Sequence, residues 1–145
     1  MALHLIKLCV GCDTVKDLKD WIRKRIDEKK KRGQPLEHFH VTRMVPKRVA
    51  ELLDGGSLYW VIRGEILCRQ PLIDIRPFVD TDGIGRCRLV MKPRVVLTEP
   101  RPRGAFQGWR YFEAKDAPQD LDRAAPGAKD MPENLRRELR GLGLL

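Results

Sequence analysis

Apolar and polar residues alternate over residues 2–10, where Leu3, Leu5, Lys7 and Cys9 oppose His4, Ile6 and Leu8, and this period of two predicts a first strand. Gly11 ends it. The period then becomes helical. Val15, Leu18, Trp21, Ile22 and Ile26 form one stripe on a heavily charged segment reaching about Lys31, with Asp13 or Thr14 placed to cap its start. Lys29, Lys30, Lys31 and Arg32 suit the negative end of the helix dipole, and Gly33 with Pro35 stops the helix. Residues 37–44 return to alternation, with His38, His40 and Thr42 on one face and Phe39, Val41 and Arg43 on the other. Pro46 suits the first position of a short helix that buries Val49, Leu52 and Leu53 and ends at Gly55-Gly56.

Strands are expected over residues 58–63 and 66–75, parted by a turn at Gly64, and residues 80–85 read as a glycine-rich hairpin connection. Cys87, Leu89 and Met91 then alternate with Arg86, Arg88 and Val90 as a strand, Pro93 marks an edge or bulge, and Val95 to Leu97 continue it. Residues 100–104 read as a rigid basic loop before the aromatic segment holding Trp109, Tyr111 and Phe112. A last helix from about Pro132 would carry Leu135, Leu139 and Leu142 on one side. These elements predict an α+β fold: a small curved mixed or antiparallel sheet, or a partly closed β-barrel, with flanking helices. At this length a single domain over residues 1–145 is expected, with a more polar, helical C-terminal segment from about residue 113.

Composition adds a basic bias. The net charge is +9, from 29 basic and 20 acidic residues, and the excess falls before residue 111, where aromatic residues are interleaved with arginines. Such a surface attracts polyanions. No apolar run approaches the roughly 18 residues of a membrane span, so no transmembrane helix is expected. The start lacks a basic leader region and Lys7 interrupts its apolar stretch, which predicts a cytoplasmic protein whose four cysteines stay reduced.

Two kinds of chemistry are compatible with the special residues. Cys9 and Cys12, spaced as Cys-x-x-Cys, together with His38 and His40 supply four ligands of the type zinc takes, although the spacing is not that of a finger. Without metal, His38 or His40 beside a cysteine, with Thr42, would be the catalytic candidates for a small hydrolase or nucleic-acid-processing enzyme. His40-Val41-Thr42 matches half of a paired His-x-Thr phosphoesterase signature, but its only counterpart, His4-Leu5-Ile6, lacks the hydroxyl. Phosphate-binding loops and nucleophile elbows are absent, and Asp80 and Asp82 read as a solvated turn.

The second chemistry is nucleic-acid binding. Arg43, Lys47 and Arg48 bracket one turn, Arg63 and Arg69 flank another, and Arg101, Arg103 and Arg110 surround Trp109. These cations would hold phosphates while Tyr59 or Trp109 stacks on an unpaired base, each stack being worth about 1–3 kcal/mol. Trp60, within an apolar strand, reads as core. RNA or another single-stranded nucleic acid is the expected partner, through a rim formed by His38, His40, Thr42, Arg43 and Lys47 and completed by residues 101–109. No cofactor is required by this reading, and the charged helix 14–32 offers a surface for a protein partner instead.

The motifs His40-x-Thr-Arg-Met-x-Pro-Lys-Arg, Gly55-Gly-Ser-Leu-Tyr-Trp-Val-Ile-Arg-Gly64, Arg69-Gln70 and the run from Pro102 to Tyr111 resemble the domain of unknown function family number fourteen-eighty-nine. The resemblance covers nearly the whole chain and implies a small bacterial cytoplasmic protein, without a mechanism. A basic strand end, a short helix, a glycine break and Tyr59-Trp-Val-Ile-Arg63 are also similar to PUA-like and ASCH-type barrels, which implies RNA binding by analogy of architecture alone.

Overall fold

A computed structural model describes residues 2–124 and 132–141. The first strand, β1 (Leu3–Leu8), leads into α1 (Val15–Lys31), whose Thr14 hydroxyl accepts from the Asp17 amide while the Asp17 carboxylate accepts from Thr14. This reciprocal capping box fixes the helix start expected from the sequence. β2 (His38–Thr42) follows, then the short α2 (Val49–Leu53), which begins three residues after Pro46. Pro46 is buried in the connecting turn and does not open the helix.

β3 (Ser57–Ile62) and β4 (Glu65–Val79) form a hairpin whose turn holds Arg63 and Gly64 at positive φ. β4 outruns the expected 66–75. Its first half pairs with β3 and its second half pairs with β5 (Gly85–Met91), the setting in which Pro77 is tolerated. β6 (Val96–Pro102) is a separate strand on β4, so the segment from Pro100 belongs partly to a strand and is not simply a loop. β7 (Trp109–Glu113), a 3-10 turn at Ala114–Asp116, α3 (Leu121–Ala124) and α4 (Glu133–Gly141) complete the described chain. On α4 the expected stripe is rotated: Leu135 is exposed and Arg136 is buried, while Leu142 and the side chain of Leu139 lie outside the described residues.

The sheet runs β2-β5-β4-β3-β1-β7, with β6 also on β4; β1 and β3 are parallel and every other pair is antiparallel. It is a curved open sheet, not a closed barrel. Its curvature follows from contacts no flat sheet permits. Three strand spacings separate β2 from β3, about 14 Å if flat, yet the rings of His40 and Trp60 meet edge to face at 5.5 Å. Register shifts in the β3–β4, β4–β5 and β4–β6 ladders provide the local bends.

The inner face packs Leu5, Leu58, Trp60, Ile62, Leu89 and Met91 beneath Leu18 and Ile22 of α1 and Leu52 of α2. On the outer face, Ile6, Tyr59, Val61, Ile66 and Phe112 form a smaller cluster that also takes in Phe106. Gln70 satisfies the buried indole by accepting from Trp60 Nε1 at 2.9 Å and donating to the Lys92 carbonyl.

The strand ends meet through side chains. Trp109 Nε1 donates to the Met44 carbonyl at 2.8 Å, and the Tyr111 hydroxyl accepts from the amides of Lys47 and Arg48 at 2.8 and 3.2 Å. Thus β7 holds the turn that leaves β2. Near this junction the backbone also closes at Gly56, where an added Cβ would lie 2.2 Å from the Leu52 carbonyl oxygen and 2.3 Å from that of Leu3.

Gly56→Ala is expected to cost about 3 kcal/mol or more, since fixed backbone atoms and not a yielding side chain block the methyl. Tyr111→Phe should cost about 0.5–1.5 kcal/mol, because the two exposed amides exchange their shared acceptor for water. Urea denaturation of each variant measures both losses.

Candidate functional site

Between the end of β2 and the start of β7 lies an open cleft of about 660 Å³, lined by Lys7, Val41, Thr42, Arg43, Met44, Gln107, Gly108, Trp109 and Arg110. None of these residues is acidic. Lys7 projects from β1, is half-buried, and its pKa is lowered because burial disfavours the ammonium. Among the described residues no carboxylate pairs with it. Arg43 stands exposed on one wall without a hydrogen bond or ion pair among the described residues. On the other wall, the Arg110 guanidinium is braced by the carbonyls of Gln107 and Trp109 and by the Phe106 ring at 5.5 Å. Three basic residues and no acidic one therefore line the cleft, with Lys7 on the Trp109 side of β7 and the Arg110 guanidinium on the Phe106 side.

The outer face of β2 continues this surface. Phe39, Val41 and Arg43 alternate along it, and Arg88 sits opposite Val41 on β5. The half-buried Phe39 ring is surrounded by Lys29 Nζ at 4.5 Å and by the guanidinium carbons of Arg88 and Arg25 at 5.1 and 5.2 Å. Arg88 also covers Phe78 at 4.7 Å. This aromatic and basic track joins α1 to the sheet, and Lys29 further donates to the Glu37 carbonyl.

Several expected site residues occupy other roles. Trp109 and Tyr59 are each 4% exposed: Trp109 is committed to Met44, and Tyr59 meets His4 and Phe112 edge to face at 5.0 and 5.3 Å. Neither offers the free ring face that stacking requires. Arg48 pairs with Glu51, Arg63 lies 3.8 Å from Asp13, and Arg101 binds Glu99 and the Asp116 carbonyl. Arg103 covers Phe106 at 5.2 Å, and Arg69, also noted at a turn, is taken by Asp120. Lys47 remains exposed beside the Tyr111 clamp. Of the expected cations, Arg43 and Arg110 thus converge on the cleft, and Lys7 joins them.

The histidine face of β2 turns inward. His38 is 1% exposed against Trp21, His40 stands against Trp60, and the Thr42 hydroxyl donates to the Met44 carbonyl. Burial, reinforced by Arg25 and Lys29 at His38 and by Lys7 and Arg25 at His40, lowers both imidazoles to about 4. They and Thr42 consequently form packing and turn contacts instead of an exposed catalytic rim. Cys9 and Cys12 interact with each other near Cys68, and burial pushes the Cys9 thiol up. All four cysteines are free thiols, and among the described residues no group of three or more His, Cys, Asp or Glu side chains is arranged to hold a metal. The proposed set Cys9, Cys12, His38 and His40 is therefore not assembled as one ligand cluster.

Lys7 sits mid-strand with no neighbouring cation in the sequence; the pairing of β1 with β7 sets it opposite Trp109, at the cleft that Arg43 and Arg110 also line. Its charge inside an otherwise apolar strand was the available signal. Phe39 was legible as a partner of Val41 and Arg43 on one face, but not as the centre of three cations from distant segments.

The molecule is thus defined as an α+β protein with an open, curved sheet and a cationic cleft between its terminal strands. Residues 5–145 match the family described as protein of unknown function DUF1489, and the chain belongs to that family. No curated protein and no solved structure matches the chain. Among the described residues, no helix is long and apolar enough to cross a membrane.

His4 joins His38 and His40 in having its pKa lowered from 6.5 to about 4, again chiefly by burial. The unfolded chain binds protons at these sites first, so their contribution to stability is present above about pH 6.5 and is lost as pH falls toward 4. Urea midpoints should decline across that window. His38→Phe should flatten the decline without loss at neutral pH, because it removes the unpartnered buried Nε2 while retaining a ring against Trp21.

Proposed function

We propose that this protein binds nucleic acid, with RNA or another single strand as its partner, by seating backbone phosphates in the cleft between β2 and β7. The observation that carries the reading is Lys7, a half-buried cation without a carboxylate partner among the described residues, in a cleft that Arg43 and Arg110 also line and no acidic residue does. Removing an ammonium from water without compensation is unfavourable. A phosphate in the cleft offsets that cost with charge-assisted hydrogen bonds.

The neighbouring track of Phe39, Val41, Arg43 and Arg88 gives a strand somewhere to run after leaving the cleft. Its cations, gathered around the half-buried Phe39 ring, suit the backbone of a flexible single strand. The reading needs no metal or cofactor. It places the protein in the cytoplasm, where nucleic acid and reduced thiols coexist, in keeping with four free cysteines.

Fluorescence anisotropy with mixed-sequence single-stranded RNA and DNA tests the proposal. Affinity should fall steeply with salt, and each of Lys7→Met, Arg43→Ala and Arg110→Ala should reduce the salt slope by about 1 while weakening binding across sequences. Lys7→Met should also preserve or raise stability, because the buried charge is absent. No binding at low salt, or wild-type affinity in the Lys7→Met variant, would sink the reading.

A further inference from the structure

A second pocket, of about 290 Å³, opens on the outer face of the sheet, between His4 and Tyr59 on one side and the segment from Ala114 to Asp120 on the other, with Gly55 and Arg69 on its wall. Its polar groups are arranged by the fold. His4 Nδ1 accepts from the Ser57 amide at 3.0 Å, so the proton of the neutral imidazole resides on Nε2. Arg69 places Nε and one terminal nitrogen on the Asp120 carboxylate at 2.9 and 3.0 Å and its other terminal nitrogen on Ser57 Oγ at 2.9 Å.

The two most buried members are incompletely used. His4 is 8% and Tyr59 4% exposed, yet among the described residues neither His4 Nε2 nor the Tyr59 hydroxyl has a hydrogen-bond partner. Neither atom is sealed from solvent, because His38 Nε2 is the only side-chain polar atom both buried and unpartnered in that set. Both therefore reach the accessible space of the pocket they line. Arg69 retains N–H groups beyond the three bonds described, since a guanidinium has five.

We infer that this pocket receives the carbonyl oxygen of a single unpaired nucleobase, with His4 Nε2–H and Tyr59 O–H as donors and Arg69 as their neighbour. The inference rests on the nucleic-acid reading for the source of the base, but uses residues separate from those of the cleft. Asp120 balances the charge of Arg69, which favours a neutral carbonyl over an oxyanion. A base inserted here would be read by its exocyclic oxygen. Uracil, cytosine and guanine carry such an oxygen; adenine does not.

Nuclear magnetic resonance of the full chain, following the His4 imidazole and Tyr59 ring signals, provides the test. Uridine should shift both signals saturably and adenosine should leave them in place. Tyr59→Phe should weaken uridine binding about two- to tenfold, the range one neutral hydrogen bond supplies, with the remaining spectrum unchanged. An abasic single strand separates this proposal from the cleft: Lys7→Met should impair its binding while leaving the uridine shifts intact. Absence of uridine shifts at millimolar concentration, equal shifts from adenosine, or equal shifts from N-methylacetamide would each overturn the assignment of a carbonyl-bearing base. Loss of abasic-strand binding in the wild-type protein would overturn the cleft reading alone.

Discussion

The architecture depends on the attachment of β7 to the turn after β2. Strand pairing leaves these two strands at opposite ends of the sheet, so backbone hydrogen bonds alone do not determine their separation. Trp109 and Tyr111 do. One places its indole N–H on Met44 and the other collects the amides of Lys47 and Arg48, while their rings meet edge to face at 4.9 Å. The clamp joins β7 to the lead into α2, and α2 in turn presses Leu52 into the core and brings its carbonyl against Gly56. The position of the short helix and one wall of the cleft thus share this attachment.

Much of the local structure was legible in the chain. Thr14 and Asp17 announce the start of α1, and Gly83 between Asp80 and Ile84 announces the hairpin, whose amides of Gly83 and Asp80 bond as that turn requires. The alternation of β2 was also clear, but not which face is buried. Phe39 and Val41 are the more hydrophobic set by sequence, yet His38, His40 and Thr42 face inward because Trp21 and Trp60 present ring surfaces to the imidazoles. Prolines concealed the extent of β4 and β6: Pro77 lies where β4 has one partner strand, and Pro100 and Pro102 lie on a strand paired with β4.

The candidate site was only partly legible because a charge becomes informative after its neighbours are known. Most arginines singled out by spacing are neutralised or braced: Arg48 by Glu51, Arg69 by Asp120, Arg101 by Glu99. Lys7, isolated in sequence, is half-buried with no carboxylate paired to it among the described residues. Aromatic residues changed roles in a similar way. Trp109 and Tyr59 became structural, while Phe39, an ordinary strand residue by pattern, acquired three surrounding cations.

The unpaired seam between β2 and β7 has a thermodynamic consequence. Its walls are held together by side chains from the turn and the terminal strand instead of a continuous ladder, so a ligand bridging Arg43 and Arg110 would act as an additional tie between sheet ends. Such a ligand stabilises the folded chain in proportion to the logarithm of its concentration above its dissociation constant. Occupancy of the seam would therefore be read directly in the stability of the fold.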